Sequence, residues 1–216
     1  MTLVSLKTGT QDGLSNGTVL LKIELSDSSS LFIKDYYLNN YPGVFEAGRE
    51  ISPVEEEILR FADACFRAER AGLRLIARAE QTQAGLSRKL EARFHSSACV
   101  SAVLSRFVEI DLVNDERYAE RWLRSRLARK TGKISGPHRL SAALGSRGIG
   151  REAIKAAFDK VLDEETEFAL LQRFIAKKPI RINAKMYLLR SRLKHEGFSS
   201  PVINRYFEEA TTALSD

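Results

Sequence analysis

The spacing of apolar residues along the chain changes character near residue 50. Before that point, Thr18 to Leu25 (TVLLKIEL) and Leu31 to Lys34 (LFIK) are short β-type runs flanking the polar turn Ser26-Asp27-Ser28-Ser29-Ser30, which predicts a hairpin, with a further strand at Leu3 to Lys7. A lone hairpin is marginal in water, so this unit must pack on something. The aromatic residues Phe32, Tyr36, Tyr37, Tyr41 and Phe45 provide that contact, and core packing is favoured over base stacking as their use. At Ser52-Pro53-Val54-Glu55 the pattern becomes helical: Ser52 caps, Pro53 fits the first helical position and Glu55 completes a capping box. Helices are predicted at about 53–80, 84–94, 97–108, 115–130, 137–147, 150–162, 164–177, 182–196 and 200–213. Asn114 is placed to cap the helix at 115, and Ser199 or Ser200 with Pro201 starts the last. Gly148 and Gly197 are placed to end helices in the left-handed conformation.

The apolar pattern also repeats. When Leu90, Leu144 and Leu193 are superimposed, Leu86, Leu140 and Leu189 stand four residues earlier, Val100, Ile154 and Ile203 ten later, and Leu104, Phe158 and Phe207 fourteen later. Four positions after the anchor the second and third copies have Gly148 and Gly197, where the first has Phe94. Such a helix-turn-helix unit cannot bury its apolar face alone, so neighbours are expected to stack. The expected fold is mainly α: three tandem three-helix repeats in an elongated array, preceded by a small N-terminal β-hairpin unit. The boundaries are a β extension at 1–50 and helical repeats at 51–110, 111–162 and 163–216.

Composition adds limits. A chain of 216 residues, 44% hydrophobic and 29% charged, excludes wholesale disorder and suits one or two small domains. No apolar run reaches the roughly 18 residues needed to span a bilayer, and MTLVSLKTGT lacks the pattern of a secretory signal, so a cytoplasmic location is expected. Cys65 and Cys99 form no CxxC pair and suit reduced buried thiols. The net charge of +6 hides an asymmetry: residues 1–65 carry −5, residues 66–161 carry +10 and residues 162–216 carry +1. Of the basic residues 22 are Arg, whose planar guanidinium favours phosphate or carboxylate, so a polyanion or an acidic protein surface is the expected partner.

On the 115–130 helix the basic charge forms a line. Stepping 100° per residue sends Tyr118, Ala119, Trp122 and Leu123 one way and Arg117, Arg121 and Arg124 the other, with Glu116 and Glu120 off the arginine line. Arg129, Lys130 and Lys133 continue the charge into the next loop, and Arg139, Arg147, Arg151 and Lys155 follow on the next two helices. A binding stripe is favoured over a merely solvated face. Catalysis finds no support: His95, His138 and His195 are isolated, no metal or cofactor is indicated, and Gly9 to Gly17 lacks the ending of a P-loop. Asp111 and Asp115 stand before a helix, where capping is the simpler role.

Three stretches, Gly72 to Leu90 (GLRLIARAEQTQAGLSRKL), Val113 to Trp122 (VNDERYAERW) and Gly136 to Ile149 (GPHRLSAALGSRGI), resemble the RecX family of RecA-recombinase regulators, over about residues 60–210. Ala79-Glu80-Gln81-Thr82 and Phe94 depart from the family pattern, which is more basic at the first and often glycine at the second. The resemblance implies three tandem three-helix repeats and a non-enzymatic negative regulator. Such a protein binds the RecA filament on single-stranded DNA along its groove and restrains its ATPase and strand exchange in DNA repair, recombination and the SOS response. A monomer without cofactor is the expectation. The alternative is a duplex-binding helix-turn-helix repressor or architectural protein.

Overall fold

The computed structural model describes residues 1–10, 19–38, 41, 45–93, 96–129, 133–177 and 186–212. Among these are three strands and nine α-helices. The chain divides into two compact units: Met1–Gln81 with Gly85–Val113, and Thr82–Ala84 with Asn114–Asp216.

In the first unit, β1 (Leu3–Thr10), β2 (Val19–Leu25) and β3 (Ser30–Lys34) form an antiparallel sheet in that order. The register pairs Leu21 with Ile33 and Ile23 with Leu31, so alternation collects Leu21, Ile23, Leu25, Leu31 and Ile33 on one buried face. Lys7, Lys22 and Phe32 form a cross-strand row on the other. The long helix α1 (Pro53–Ile76) begins with the expected capping box between Ser52 and Glu55. It also covers the free edge of β3: the Phe32 N–H donates to Asp63 at 2.9 Å, and Lys34 donates to Glu69 at 2.7 Å. An edge strand so covered offers less backbone for unwanted pairing. Helices α2 (Gln83–Glu91) and α3 (Ser97–Glu109) add Leu86, Leu90, Val100, Val103 and Phe107 to the core. The sheet thus shares one apolar core with these helices. Cys65 and Cys99 are buried free thiols within it, and burial pushes the Cys65 thiol up. The aromatic set divides: Tyr37, Tyr41 and Phe45 join the core, whereas Phe32 and Tyr36 stay exposed.

The second unit contains α4 (Asp115–Ala128), α5 (Pro137–Gly145), α6 (Arg151–Val161), α7 (Glu164–Lys177), α8 (Met186–His195) and α9 (Ser200–Thr212). The expected helix at 182–196 is seen from Met186; residues 182–185 lie outside those described, as do Phe94 and His95. Ala119, Leu123, Leu140, Leu144, Ile154 and Ala157 form one core, and Phe168, Leu171, Leu189, Leu193, Ile203 and Phe207 another. These include the repeat positions, so the recurring leucines mark successive cores.

The two cores of this unit are joined by a seam. Gly136 donates its N–H to Glu196 and the His138 N–H reaches the Gly197 carbonyl, at 2.9 and 3.0 Å. A Cβ on Gly136 would stand 2.3 Å from the carbonyl carbon of Gly197, which itself has φ +93°. Only two glycines allow backbones to approach so closely. Beneath them the buried Glu167 carboxylate accepts the Ser199 N–H at 2.7 Å and its hydroxyl at 3.0 Å. A related close approach occurs in this unit with a single glycine, where Gly148, at φ +83°, faces the Ala84 side chain and the Thr82 hydroxyl donates to the Arg147 carbonyl at 3.1 Å. Thr82 precedes Leu90 by eight residues, as Gly136 precedes Leu144.

Candidate partner-binding surface

Helix α4 is anchored from both its start and its inner side. The Asn114 side chain accepts the Arg117 N–H at 2.9 Å as the cap, and Asp115 and Glu116 place negative charge in the first turn. Asp115 does not cap its own helix; it accepts the N–H of Gln83 at 2.9 Å, while burial raises its carboxyl above the usual range. Ala119 and Leu123 are buried against the α6 side chains of their core. That fixes the rotation of the helix and turns Arg121 and Arg124 outward, with Arg117 half-buried on the same line.

The acids are not all off this line. Arg124 donates from Nε and Nη2 to Glu120 at 3.1 and 3.0 Å. At four residues' spacing the two side chains lie about 40° apart around the helix, within reach of each other. Such an exposed pair contributes about 0.3–0.5 kcal/mol, so Arg124 is held lightly. Glu116 instead pairs with Lys160 of α6.

The other predicted residues fall into distinct settings. Arg129, at the end of α4, and Lys133 are exposed, whereas Lys130 lies outside the described residues. Arg147 stacks its guanidinium 4.9 Å from the centroid of Trp122. Arg126, which the helical line did not select, stands 5.0 Å from the same ring, four residues from it. Arg139 is engaged in the seam, donating to the His195 carbonyl at 2.9 Å and pairing with Glu196 at 3.0 Å. Arg151 is exposed and, with Lys155, borders a 280 Å³ cleft that Pro137, Ile154 and Phe158 line with apolar surface. Lys155 itself pairs with Asp159 at 2.6 Å.

A second basic line was missed. On α1, Arg60, Arg67, Arg70 and Arg74 are all exposed, and their spacing of seven, ten and fourteen residues from Arg60 keeps them on one side of the helix. That spacing was the signal. Arg60 is tied to Glu56 and Asp27, and Arg67 to Asp63.

No group of three or more His, Cys, Asp or Glu side chains able to hold a metal occurs among the described residues, and none of their helices is long and apolar enough to cross a membrane. The arrangement offers exposed guanidiniums on a rigid helix, suited to phosphate or carboxylate.

Comparison with known proteins places these features in context. The family model described as RecX, second three-helix domain, matches residues 114–157, which include α4, α5 and most of α6. The regulatory protein RecX of Thermobifida fusca (strain YX) is 32% identical over 157 residues, covering 70% of this chain and 82% of that protein. That of Mycobacterium sp. (strain JLS) is 41% identical over 85 residues, covering 39% of this chain and 45% of its own length. Two crystal structures share the fold. One, of a regulatory protein RecX, has a TM-score of 0.68 at 19% identity over 94% of this chain and 97% of its own. The other, RecX from Lactobacillus salivarius, has a TM-score of 0.58 at 21% identity over 68% of this chain and 97% of its own.

Proposed function

The chain belongs to the RecX family of regulatory proteins, and on that premise we propose that it is a non-enzymatic negative regulator of the RecA recombinase in the cytoplasm. It binds the RecA filament on single-stranded DNA, follows the filament groove as a monomer, and restrains ATP hydrolysis and strand exchange during recombinational repair and the SOS response. One observation carries the reading. Within the segment that matches the family model, α4 is rotated by its buried Ala119 and Leu123 so that Arg121 and Arg124 are exposed, with Arg129 beyond them. A nucleoprotein filament presents phosphates and acidic protein patches in long rows, and several modest charge-assisted contacts along such a row sum to firm binding without a deep pocket.

The test is the ATPase of RecA on single-stranded DNA as this protein is titrated in. The expected result is progressive inhibition that weakens as salt rises. Unchanged ATPase at saturating protein, together with tight sequence-specific duplex binding, would replace this reading with the repressor alternative.

A further inference from the structure

The first unit carries a surface that the α4 reading does not use. Phe32 sits on the solvent side of β3 and is 38% exposed, although large apolar side chains on the same strand are buried. Its ring stacks on Phe66 of α1, with centroids 6.1 Å apart and planes 23° from parallel, so it is held in one orientation. The Arg70 guanidinium lies 5.9 Å from the Phe66 centroid. Across the sheet, Lys22 and Lys7 continue the row in register with Phe32. Arg67, beside Phe66 on α1, is 63% exposed in its side chain.

The carboxylates around this row are engaged locally. Asp63 accepts both the Phe32 N–H and Arg67 Nε, at 2.9 and 2.8 Å. Glu24 accepts from Lys22 at 2.7 Å and from Ser5 at 2.9 Å. Lys7, Arg70 and Arg74 add positive charge, so the face is basic although residues 1–65 together are acidic. An oriented aromatic ring flanked by cations matches what an unpaired strand offers: a base to stack and phosphates on either side. Duplex DNA keeps its bases stacked and has no use for an exposed ring on a sheet.

We propose that this face, centred on Phe32 and bordered by Lys7, Arg67 and Arg70, binds single-stranded nucleic acid directly, a base stacking on Phe32 while the backbone follows the cations. It rests on the proposed function only in taking the strand to be DNA. The experiment is fluorescence anisotropy of a labelled oligodeoxythymidylate with the full-length protein and no recombinase. The parent is expected to bind with a clear salt dependence. Phe32→Ala should weaken binding about tenfold, whereas Phe32→Trp should preserve it. Lys7→Ala with Arg70→Ala should flatten the logarithmic salt slope by about two. Circular dichroism melting confirms that each variant is folded, and the lysine–arginine variant tests the site with both rings of the Phe32–Phe66 stack in place.

Parental affinity in Phe32→Ala, or a parent that does not bind the strand at low salt, overturns the site. So does a Phe32→Ala defect confined to recombinase filaments with none on the bare strand, since the face would then serve a protein. The two readings fail separately. If Phe32→Ala loses the oligonucleotide while the parent leaves RecA ATPase unaffected, this site stands and the filament function falls; if the parent inhibits the ATPase and Phe32→Ala binds the strand normally, the reverse holds.

Discussion

Arg139 and Arg124 carry the same guanidinium in the same unit, yet their surroundings give them opposite work. Arg139 lies in the seam, where it satisfies the terminal carbonyl of α8 at His195 and pairs with the largely buried Glu196. Arg124 lies on the outer side of α4, its side chain 60% exposed, and pairs with Glu120 one turn away. The difference follows from acceptors. A helix C-terminus leaves carbonyls without intrahelical donors, and a forked cation placed there completes the fold. The outer side of a helix has no such orphan groups, so an arginine there remains available to a partner. Counting charge along the sequence cannot separate the two cases.

The largest test of this contrast is in the seam itself. Gly136→Ala would force a Cβ to within 2.3 Å of Gly197 backbone, which cannot yield as a side chain would, and should destabilise the second unit by about 3 kcal/mol. Gly145→Ala, nine residues later at the end of α5 where nothing lies within 4 Å, should instead gain about 0.5 kcal/mol from helix propensity. Urea unfolding of both variants checks the opposite signs; equal effects would mean that the glycine contact is not what holds the seam.

Next in size is Arg139→Ala, expected to cost about 1–2 kcal/mol by leaving the His195 carbonyl and the Glu196 carboxylate without their donor. A double-mutant cycle with Glu196→Ala should return a coupling near 1 kcal/mol. RecA filament binding by the folded fraction should not change. If stability is unaltered while binding falls, Arg139 belongs with the partner surface after all.

How much of this was legible beforehand depends on the range of the interaction. The 3.6-residue period set the helices, Ser52 and Asn114 named real caps, and the shared leucine offsets marked the successive cores, because all of these are local patterns. The left-handed Gly148 and Gly197 were legible for the same reason. The seam contacts of Arg139 are not legible in the sequence, because its acceptors lie 56 and 57 residues away. Ideal angles that set Glu120 off the arginine line ignore how far long side chains reach, and grouping the aromatics by nearness in sequence does not separate Phe32, which alternation places opposite the buried Leu31 and Ile33, from those that join the core.

The outer side of α4 should respond in the opposite way to the seam. Arg121→Ala and Arg124→Ala combined should leave stability within about 1 kcal/mol of the parent, since both side chains are exposed and exposed charges contribute little to folding. Filament binding should fall, and its logarithmic salt slope should lose up to about two, one for each phosphate contact removed. Co-sedimentation with RecA on single-stranded DNA over a salt series measures both. Unchanged affinity and slope would show that this line is only solvated.

The smallest effect is the most pointed, because it changes an acid and not an arginine. Glu120→Gln removes the carboxylate that Arg124 contacts through two nitrogens while keeping an acceptor of nearly the same shape. Folding should lose no more than about 0.5 kcal/mol, the ordinary value of an exposed pair at this spacing. If Arg124 meets phosphate, its intramolecular partner competes with the filament, so the variant should bind more tightly at low salt, with a salt slope steeper by up to about one. The gain should vanish in the background Arg124→Ala, where there is no guanidinium left to release. A gain that survives there would trace to general repulsion between Glu120 and the filament, and no gain in either background would place Arg124 outside the contact.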